Sequence, residues 1–556
     1  MLLLNKLILC VFAVVIVNGE DEKPESRTVR TTYGAVRGYR SPEGDLFAFY
    51  GIPYATAPTG PNKFKAPLPA PLSLHTFEAV DKTIICPQIE MPFTKGMKAQ
   101  EDCLIANVFV PDTKETKLPV VVYIHGGAFY MGFGNMITPV NLVLTKRVIA
   151  VTINYRVGVQ GFLCLGTRDA PGNAGLKDQV AALTWVKRNI ANFGGNTDDI
   201  TIAGYSAGSS SVTLLAISNL AKGLFNKVIA ESGSVLGVTV VMDPLENAKT
   251  CAKILNFTDV DDVYALEEFY KSSPIEVFTK CAIEDRTDTS LLFGPCVERD
   301  TPEQVFLKDA PINILKEGKL EPVPMLYGFS NMEGLFRLPL FELWKNKMNA
   351  NFAEFLPSDL KFNTEEQKQE VAMTVKKFYF GDKPVSEDNV LSYIDYFGDI
   401  TFGYPMLRAL DMYTQTGFDQ VYLYEYEFVD EDTPVVPHTE VRGATHCSQT
   451  AAVLDGKDIH IKDEQNFTEE YKDMKKLMRS LWTNFIKTGN PTPPGSELPS
   501  WSAVGAGRSP HMLLTLPPRM RGELLPTRAR FWDDIYSRYY RAPAPPPTPP
   551  PKHTEL

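Results

Sequence analysis

The sequence predicts an α/β fold in which a large, mainly parallel sheet lies between two layers of helices. Two continuous apolar runs, at residues 118–124 and 148–153, are typical of strands buried on both faces. Apolar residues then recur at helical spacing over 176–193, and a strand over 199–203 leads into another apolar-rich helix. Strands and helices that alternate in this way form a parallel sheet with helices on both faces.

The remaining elements extend this core. Two β-rich segments, 29–38 and 46–51, flank turn residues and predict antiparallel strands at the start of the chain. The sheet is expected to return at 324–327 and 420–428. The rest of the region 240–400 shows charged helical patterns without strand–helix repeats, so we expect helical insertions over the sheet.

Both ends of the chain carry segments outside the predicted fold. Residues 1–19 contain one lysine, a long apolar run and a small-residue cleavage site, which is typical of a secretory signal peptide. An uncleaved anchor is the alternative, but the run is short for a membrane span, and we expect no transmembrane anchor in the mature chain. Residues 20–541 are predicted to form a single domain. Residues 542–556 are predicted to be a proline-rich tail, whose extended spacer holds the last residues clear of the fold.

The composition is that of an ordinary globular protein, with 44% hydrophobic and 22% charged residues. The formal net charge is −11, and the basic residues form no patch along the sequence. Nucleic acids and anionic membranes are therefore not expected as partners. The sequence has no phosphate-binding loop and no histidine–cysteine cluster at zinc spacing, so it predicts no metal and no organic cofactor.

Cys10 lies in the predicted signal peptide, which leaves seven of the eight cysteines. An odd number leaves at least one free thiol in an oxidising compartment. Cys86 and Cys103 close a short loop and are expected to form a disulfide. Cys164 follows an apolar stretch and is expected to be a buried free thiol. Spacing leaves open the pairing of three further cysteines, Cys251, Cys281 and Cys296.

The segment 204–208, GYSAG, follows the predicted strand at 199–203 and precedes a helix. A Gly-x-Ser-x-Gly pentapeptide arises often by chance, but the strand–turn–helix context is the one that a nucleophile elbow requires. Small residues on either side let the strained turn pass the neighbouring backbones. Ser206 is therefore the predicted nucleophile, and Tyr205 is expected to pack beneath the elbow, away from substrate.

A serine nucleophile needs a base and an acid that follow it in this chain order. His446 lies in a small-residue loop after the strand at 420–428, whereas the other histidines between Ser206 and the tail lie in charged or proline-flanked segments. A lone histidine is more often structural, so the order and the loop context decide the choice. Glu333 follows the strand at 324–327, in a position to orient the imidazole, although acidic residues are also common there as solvated groups.

A tetrahedral intermediate also needs hydrogen-bond donors for its oxyanion. Gly126 and Gly127 follow the apolar run at 118–124, and glycines can present backbone N–H groups to a substrate without a Cβ in the way. The amide of Ala207, next to the nucleophile, is expected to add a third donor. A plain glycine-rich turn is the alternative for this loop, but four such elements in the right order argue against it.

These features resemble the carboxylesterase/cholinesterase family, the type-B carboxylesterases, and insect esterases most of all. The shared motifs extend over about residues 31–532 and include FYGIPYA, EDCL, NYRVG, YGFSNMEG and NFIKTGNP. The resemblance implies an α/β-hydrolase fold and a family disulfide at Cys86 and Cys103. It also implies roles for six residues, which are the triad of Ser206, Glu333 and His446 and the oxyanion-hole donors Gly126, Gly127 and Ala207.

Several positions depart from the family pattern. The loop closed by the first disulfide lacks the choline-binding tryptophan, which argues against choline esters. A family tryptophan of the acyl pocket is missing near Thr239, which leaves room for bulkier acyl groups. Residues 447–449 replace positions that are often acidic, and Tyr205 replaces a common Glu or Gln. Phe257 and Phe269 occupy the positions of the family's second disulfide, so a second bridge must be rewired or absent.

The sequence thus predicts a serine carboxylic-ester hydrolase that acts on small to medium xenobiotic, dietary or signal esters through an acyl-enzyme. The alternatives are a non-catalytic esterase-like protein and a slow-turnover protein that binds and sequesters esters. The last four residues, 553–556, resemble a KDEL-type retrieval signal, so we expect a retrieval receptor as partner and residence in the endoplasmic reticulum lumen, with secretion as the alternative. Two sequons predict glycosylation at Asn256 and Asn466.

Overall fold

The computed structural model describes residues 24–281, 286–300, 304–455 and 466–551. The predicted signal peptide and the retrieval-like residues 553–556 lie outside the described residues. Within the described ranges, no helix has the length and apolar character needed to cross a membrane.

Strands and helices alternate through the middle of the chain, as predicted. The strands are β1 (Ser26–Arg30), β2 (Ala35–Arg40), β3 (Leu46–Pro53), β4 (Ala55–Thr56), β5 (Leu68–Pro69), β6 (Phe77–Glu78), β7 (Ile84–Ile85), β8 (Lys98–Ala99), β9 (Ile105–Pro111), β10 (Leu118–Ile124), β11 (Ile149–Ile153), β12 (Gly195–Tyr205), β13 (Lys227–Glu231), β14 (Met325–Ser330), β15 (Val421–Tyr426), β16 (His511–Leu514) and β17 (Arg519–Arg521). The helices are α1 (Val140–Val143), α2 (Gly158–Phe162), α3 (Ala174–Asn189), α4 (Ala207–Ile217), α5 (Pro244–Ile254), α6 (Val263–Ser272), α7 (Pro311–Glu317), α8 (Phe341–Ala350), α9 (Glu365–Phe380), α10 (Val390–Gly398), α11 (Tyr404–Gln415), α12 (Ser448–Val453), α13 (Glu469–Thr488) and α14 (Pro526–Tyr539).

One large sheet organises the molecule. Its strand order is β1-β2-β3-β9-β11-β10-β12-β13-β14-β15-β16-β17, with β6 paired to β2. The strands from β11 to β16 run parallel, and the pairs at both edges of this path are antiparallel. The prediction of a large, mostly parallel sheet flanked by helices is confirmed.

The central strand β10 shows why a continuous apolar run forms here. Val120, Val122 and Ile124 pack into the core that contains α3 and α4, whereas Val121 and Tyr123 pack into the core on the α13 side. Successive side chains of a strand point to opposite faces, so a strand covered by helices on both faces has no polar position. A third core, separate from the sheet, lies among α8, α9, α10 and α14. The first three of these helices belong to the predicted helical region 240–400, whereas α14 comes from the end of the chain.

The prediction of one strand over 29–38 is wrong. A turn interrupts it, because Thr31 and Gly34 exchange backbone hydrogen bonds of 2.8 and 3.1 Å and Gly34 has a φ of 141°. The chain reverses at this glycine, and β1 and β2 become an antiparallel hairpin.

Three disulfides are present among the described cysteines. Cys86–Cys103 is formed as expected, and Cys251–Cys281 is a rewired second bridge. The prediction that Cys164 is a free thiol is wrong, because the fold places it beside Cys296, 132 residues away in sequence, and the two are bonded. Among the cysteines that the structure describes, the free one is the buried Cys447.

The rings of Phe257 and Phe269 stack at a centroid distance of 4.5 Å, at the positions that the family resemblance assigns to its second disulfide. An apolar aromatic contact therefore joins these two segments in place of a covalent bond.

The expectation that the tail stands clear of the fold is wrong for its described part. Pro543 and Pro546 are buried, and the hydroxyl of Tyr264 donates a 2.8 Å hydrogen bond to the carbonyl of Pro550. The segment is extended, as predicted, but its proline rings pack on the surface of the domain. Asn256 and Asn466 are both exposed, and their glycosylation stays a prediction.

Candidate active site

Ser206 occupies a sharp turn between β12 and α4. Its φ of 54° and ψ of −123° are strained for a residue with a side chain. The small neighbours are a steric requirement, since a Cβ on Gly208 would lie 2.1 Å from the carbonyl oxygen of Ile124. This turn lifts Ser206 above the carboxyl end of the parallel sheet, which is the usual position of ligand sites in open α/β folds.

The structure brings the three predicted triad residues together. The Nε2 atom of His446 lies 2.9 Å from the Oγ of Ser206, and its Nδ1 atom lies 2.5 Å from the Oε2 of Glu333. Glu333 comes from the end of β14, and His446 from the loop between β15 and α12. The Glu333 side chain is 2% exposed and that of His446 is 17% exposed, so the carboxylate is shielded while the imidazole reaches the cavity.

A chain of buried hydrogen bonds holds the other oxygen of Glu333. Its Oε1 accepts from the backbone N–H of Ser330 at 2.8 Å and from the hydroxyl of Ser232. The Gln449 amide donates to Ser232 at 2.5 Å and accepts from the Ser330 hydroxyl at 2.5 Å. Because the amide group of Gln449 donates to Ser232, the proton of Ser232 is directed to Glu333, and Oε2 remains for His446.

Ser232 and Gln449 are supporting residues that the sequence did not identify. The sequence shows that residues 447–449 depart from an acidic family pattern, but only the fold places Gln449 beside Ser232. No local signal links two residues 217 positions apart.

The loop after β10 carries the predicted oxyanion donors. Among the described residues, the N–H groups of Gly126 and Gly127 have no hydrogen-bond partner. Ala207 is the first residue of α4, where the N–H has no partner within the helix. Gly127 has a φ of 105°, and a Cβ there would lie 2.2 Å from the carbonyl oxygen of Met131, so this position requires glycine.

His125 fixes the same loop from behind. Burial lowers the pKa of His125 to about 4, so its imidazole is neutral at physiological pH, and its Nδ1–H donates to the carbonyl of Gly126 at 2.8 Å. The ring stacks on Tyr155 at 4.2 Å, and the Tyr155 hydroxyl donates to the His125 carbonyl at 2.9 Å. These contacts hold the loop in place without any contribution from a substrate.

Two further buried acids lie near Glu333. Burial raises the pKa of Glu231 to about 7 and raises the pKa of the Cys447 thiol well above its ordinary value. The Thr450 hydroxyl donates to Glu231 at 2.6 Å. Cys447 thus remains a neutral thiol beside His446 at neutral pH.

A cavity of about 360 Å³ opens above Ser206. Its walls are mostly apolar and include Phe93, Met131, Met136, Leu291, Phe336 and Phe402. Thr239 also lines the cavity. It lies near the position where the family's acyl-pocket tryptophan is missing. Tyr205 borders the cavity but is only 6% exposed and belongs to the core on the α13 side. Its ring stacks on Tyr123 at 6.2 Å.

Over the ranges that the structure describes, no group of three or more histidine, cysteine, aspartate or glutamate side chains is arranged to hold a metal ion.

This fold and this arrangement of serine, histidine and carboxylate define the class of α/β hydrolases. The model of the carboxylesterase family matches residues 25–532. Esterase FE4 of Myzus persicae is 34% identical over 473 residues, covering 82% of this chain and 82% of that protein. Juvenile hormone esterase of Heliothis virescens is 33% identical over 485 residues, covering 83% and 85% of the two chains.

Solved structures show the same similarity. Juvenile hormone esterase from Manduca sexta, with OTFP covalently attached, has a TM-score of 0.80 and 28% identity, and the match covers 92% of this chain and all of that one. A second solved structure, PNB esterase, has a TM-score of 0.70 and also 28% identity. The chain belongs to the carboxylesterase family, and it is a carboxylic-ester hydrolase.

Proposed function

We propose that the chain hydrolyses small to medium carboxylic esters with Ser206 as nucleophile, His446 as general base and Glu333 as the acid that orients the imidazole. The observation that carries this proposal is the continuous contact from Ser206 Oγ to His446 at 2.9 Å and from His446 to Glu333 at 2.5 Å. These distances lie within the reach that proton transfer requires.

The reaction follows from these positions in two halves. His446 Nε2 takes the hydroxyl proton as Ser206 Oγ attacks the carbonyl carbon, and the N–H groups of Gly126, Gly127 and Ala207 stabilise the oxyanion. The intermediate collapses, and His446 returns the proton to the departing alcohol, which leaves an acyl-enzyme. Water then attacks the acyl carbon by the same route and releases the acid and the free serine.

The apolar cavity supports substrates whose acyl or alcohol group is largely hydrocarbon. Its volume of about 360 Å³ suits a small to medium ester. The Manduca sexta relative carries a covalently attached ligand, which fits a mechanism with a covalent intermediate. Xenobiotic, dietary and signal esters all meet these requirements.

The secretory pathway is the proposed location. Three disulfides support an oxidising compartment, and the exposed Asn256 and Asn466 are accessible to glycosylation. Retention in the endoplasmic reticulum by a KDEL-type receptor rests on residues 553–556 alone.

Replacing Ser206 tests the nucleophile directly. We expect S206A to fold and to lose hydrolysis of 4-nitrophenyl acetate by at least about 10³-fold, as expected when a nucleophile is removed. The native protein should be labelled by an organophosphate at one site per chain and S206A should not. Turnover in S206A at the native rate refutes the proposed nucleophile.

Pre-steady-state kinetics separate the two alternative roles. A fast hydrolase shows turnover after the first acyl-enzyme, whereas a sequestering protein releases one equivalent of 4-nitrophenol per chain and then stalls. A protein that binds esters without chemistry gives neither the burst nor the label.

A further inference from the structure

The ring of Tyr205 packs against the loop that carries the predicted oxyanion donors. Tyr205 ends β12, immediately before Ser206. A Cβ on Gly126 would lie 2.9 and 3.0 Å from the Cε2 and Cζ atoms of the Tyr205 ring. Because a carbon–carbon bond is about 1.5 Å long, the α-carbon of Gly126 lies within about 4.5 Å of the ring, which is contact distance. The edge of the ring therefore closes the space beside this glycine.

The packed interior fixes the position of this ring. Tyr205 is 6% exposed, and its ring lies nearly parallel to that of Tyr123, with an interplanar angle of 10° and a centroid distance of 6.2 Å. Its backbone is held in the sheet, where it pairs with Glu231 of β13. Side chains in a close-packed core have little room to move. The ring is thus a fixed surface against which Gly126 rests.

The two peptide groups on either side of the Gly126 α-carbon carry the donors. The carbonyl of His125 accepts from the Tyr155 hydroxyl at 2.9 Å, and the carbonyl of Gly126 accepts from the His125 imidazole at 2.8 Å. A peptide group is planar and trans, so each fixed carbonyl directs the N–H of the following residue to the opposite side. These N–H groups are those of Gly126 and Gly127.

The α-carbon of Gly126 is the joint between these two peptide groups. A glycine can rotate at such a joint more freely than other residues, because it has no Cβ. The Tyr205 ring occupies the adjacent space. The relative orientation of the two donors thus depends on this ring as well as on the hydrogen bonds of the two carbonyls.

We propose that Tyr205 is a positioning residue of the oxyanion hole. Its ring holds the α-carbon of Gly126 in place and so keeps the N–H groups of Gly126 and Gly127 directed at the developing oxyanion. This role gives a reason for a large aromatic residue next to Ser206, where the family resemblance leads us to expect Glu or Gln. The inference rests on the proposed function, because it concerns the transition state of the reaction at Ser206.

Removal of the ring should lower the rate of the chemical step more than the affinity for the ester. Donors that are fixed before the reaction stabilise the charge of the transition state, which the bound ester does not yet carry. In Y205A the space beside Gly126 is open, and the donors can move away from the oxyanion. We expect kcat to fall roughly 10- to 100-fold, no more than the loss of a whole donor costs, while KM changes less than about threefold.

An alkyl trifluoromethyl ketone tests the oxyanion hole directly. Ser206 Oγ adds to the ketone carbon, the hydroxyl proton passes to His446, and the ketone oxygen becomes an oxyanion that the donors hold. The matched trifluoromethyl alcohol has the same chain but forms no covalent bond. The inhibition constant of the ketone should rise roughly 10- to 100-fold in Y205A, whereas that of the alcohol should change less than about threefold.

Two conservative variants show which part of Tyr205 acts. Y205F keeps the ring, so kcat and both inhibition constants should stay within about threefold of native. Y205L fills part of the space without the flat edge of a ring. It should show a smaller loss than Y205A in the same quantities, and it carries the test if Y205A does not fold.

Tyr422 of β15 supplies a matched control. It lies in the same core and is 7% exposed, and its ring packs near Phe485 and Trp501 at centroid distances of 6.3 and 6.2 Å. In the part of the chain that the structure describes, Tyr422 is not a residue of the cavity wall. Y422A should lose stability as Y205A does but keep kcat and the inhibition constant of the ketone within about threefold of native.

Three results overturn the inference. The first is a folded Y205A or Y205L that keeps native kcat, or that weakens the ketone and the alcohol equally. The second is a loss in Y205F as large as in Y205A, since the hydroxyl rather than the ring would then act. The third is an equal loss in Y422A. A native protein that neither hydrolyses esters nor forms an adduct with the ketone would instead contradict the proposed function, so the two failures are distinguishable.

Discussion

Replacing Ser232 by alanine would remove a hydrogen bond from Glu333 without changing Ser206 or His446. The hydroxyl of Ser232 is fully buried and donates to Glu333 Oε1 while it accepts from Gln449. In S232A, Oε1 keeps the backbone N–H of Ser330 at 2.8 Å. Oε1 thus loses one of its two hydrogen bonds, and the amide N–H of Gln449 loses its acceptor.

The magnitude follows from these contacts. A hydrogen bond to a charged group contributes about 1.5–3 kcal/mol, and an amide left without its acceptor costs about 1–3 kcal/mol. We expect the free energy of unfolding of S232A to fall by about 2.5–6 kcal/mol. Because a less well-held Glu333 orients the imidazolium less well, kcat/KM should fall roughly ten- to thirtyfold, about 1.4–2 kcal/mol of transition-state stabilisation.

A double-mutant cycle with E333Q shows whether Ser232 acts through Glu333. The assay measures kcat/KM for a 4-nitrophenyl ester in the native protein, S232A, E333Q and the double variant. If Ser232 acts by positioning the carboxylate, S232A should cost less than about twofold in the E333Q background.

Ser218 serves as the control, because it is also buried and donates to the carbonyl of Phe306 at 2.7 Å, in a contact that involves no triad residue. S218A should lose about 1 kcal/mol of stability and no activity. The reasoning is refuted if S232A keeps native kcat/KM while losing stability, or if the losses of S232A and E333Q multiply in the double variant.

Two further predictions concern stability. Burial lowers the pKa of His125 from its ordinary 6.5 to about 4, so the unfolded chain binds this proton at a higher pH than the folded protein does. The stabilisation from neutral His125 is therefore present above pH 6.5 and is lost as the pH falls to 4, by up to about 3 kcal/mol. H125N lacks this loss, so the native-minus-variant difference in unfolding free energy should shrink over that window. Arg156 and Asp178 form a fully buried bidentate ion pair, with distances of 2.8 and 2.7 Å. D178N leaves the guanidinium charge unpaired and should cost about 3–5 kcal/mol in urea unfolding, whereas the apolar double variant R156M/D178L should cost less.

Each stability prediction has a clear contrary result. A native-minus-H125N difference that stays constant between pH 7 and 4 contradicts the buried neutral histidine. For the ion pair, a double variant at least as unstable as D178N shows that the residues contribute by shape and hydrogen bonding rather than by charge balance.

The sequence by itself determined the sheet and the order of the candidate triad. Strand β10 could be predicted because a strand buried on both faces must be continuously apolar. Its predicted bounds are those observed. The turn at Ser206 could be predicted because its strained backbone requires small residues on both sides, which produces a recognisable Gly-x-Ser-x-Gly pattern. His446 and Glu333 could be chosen because both follow Ser206 in the expected chain order, Glu333 after a predicted strand and His446 in a small-residue loop.

Only the tertiary structure decided the contacts between residues far apart in sequence. Cys164 was predicted to be a free thiol because it follows an apolar stretch, and nothing in the local sequence indicates its partner Cys296. The support that Ser232 gives to Glu333 depends on its contact with Gln449, which lies 217 residues later in the sequence. Local patterns encode local backbone and burial, whereas pairing, support and specificity depend on which distant side chains the packed chain brings within a few ångströms of each other.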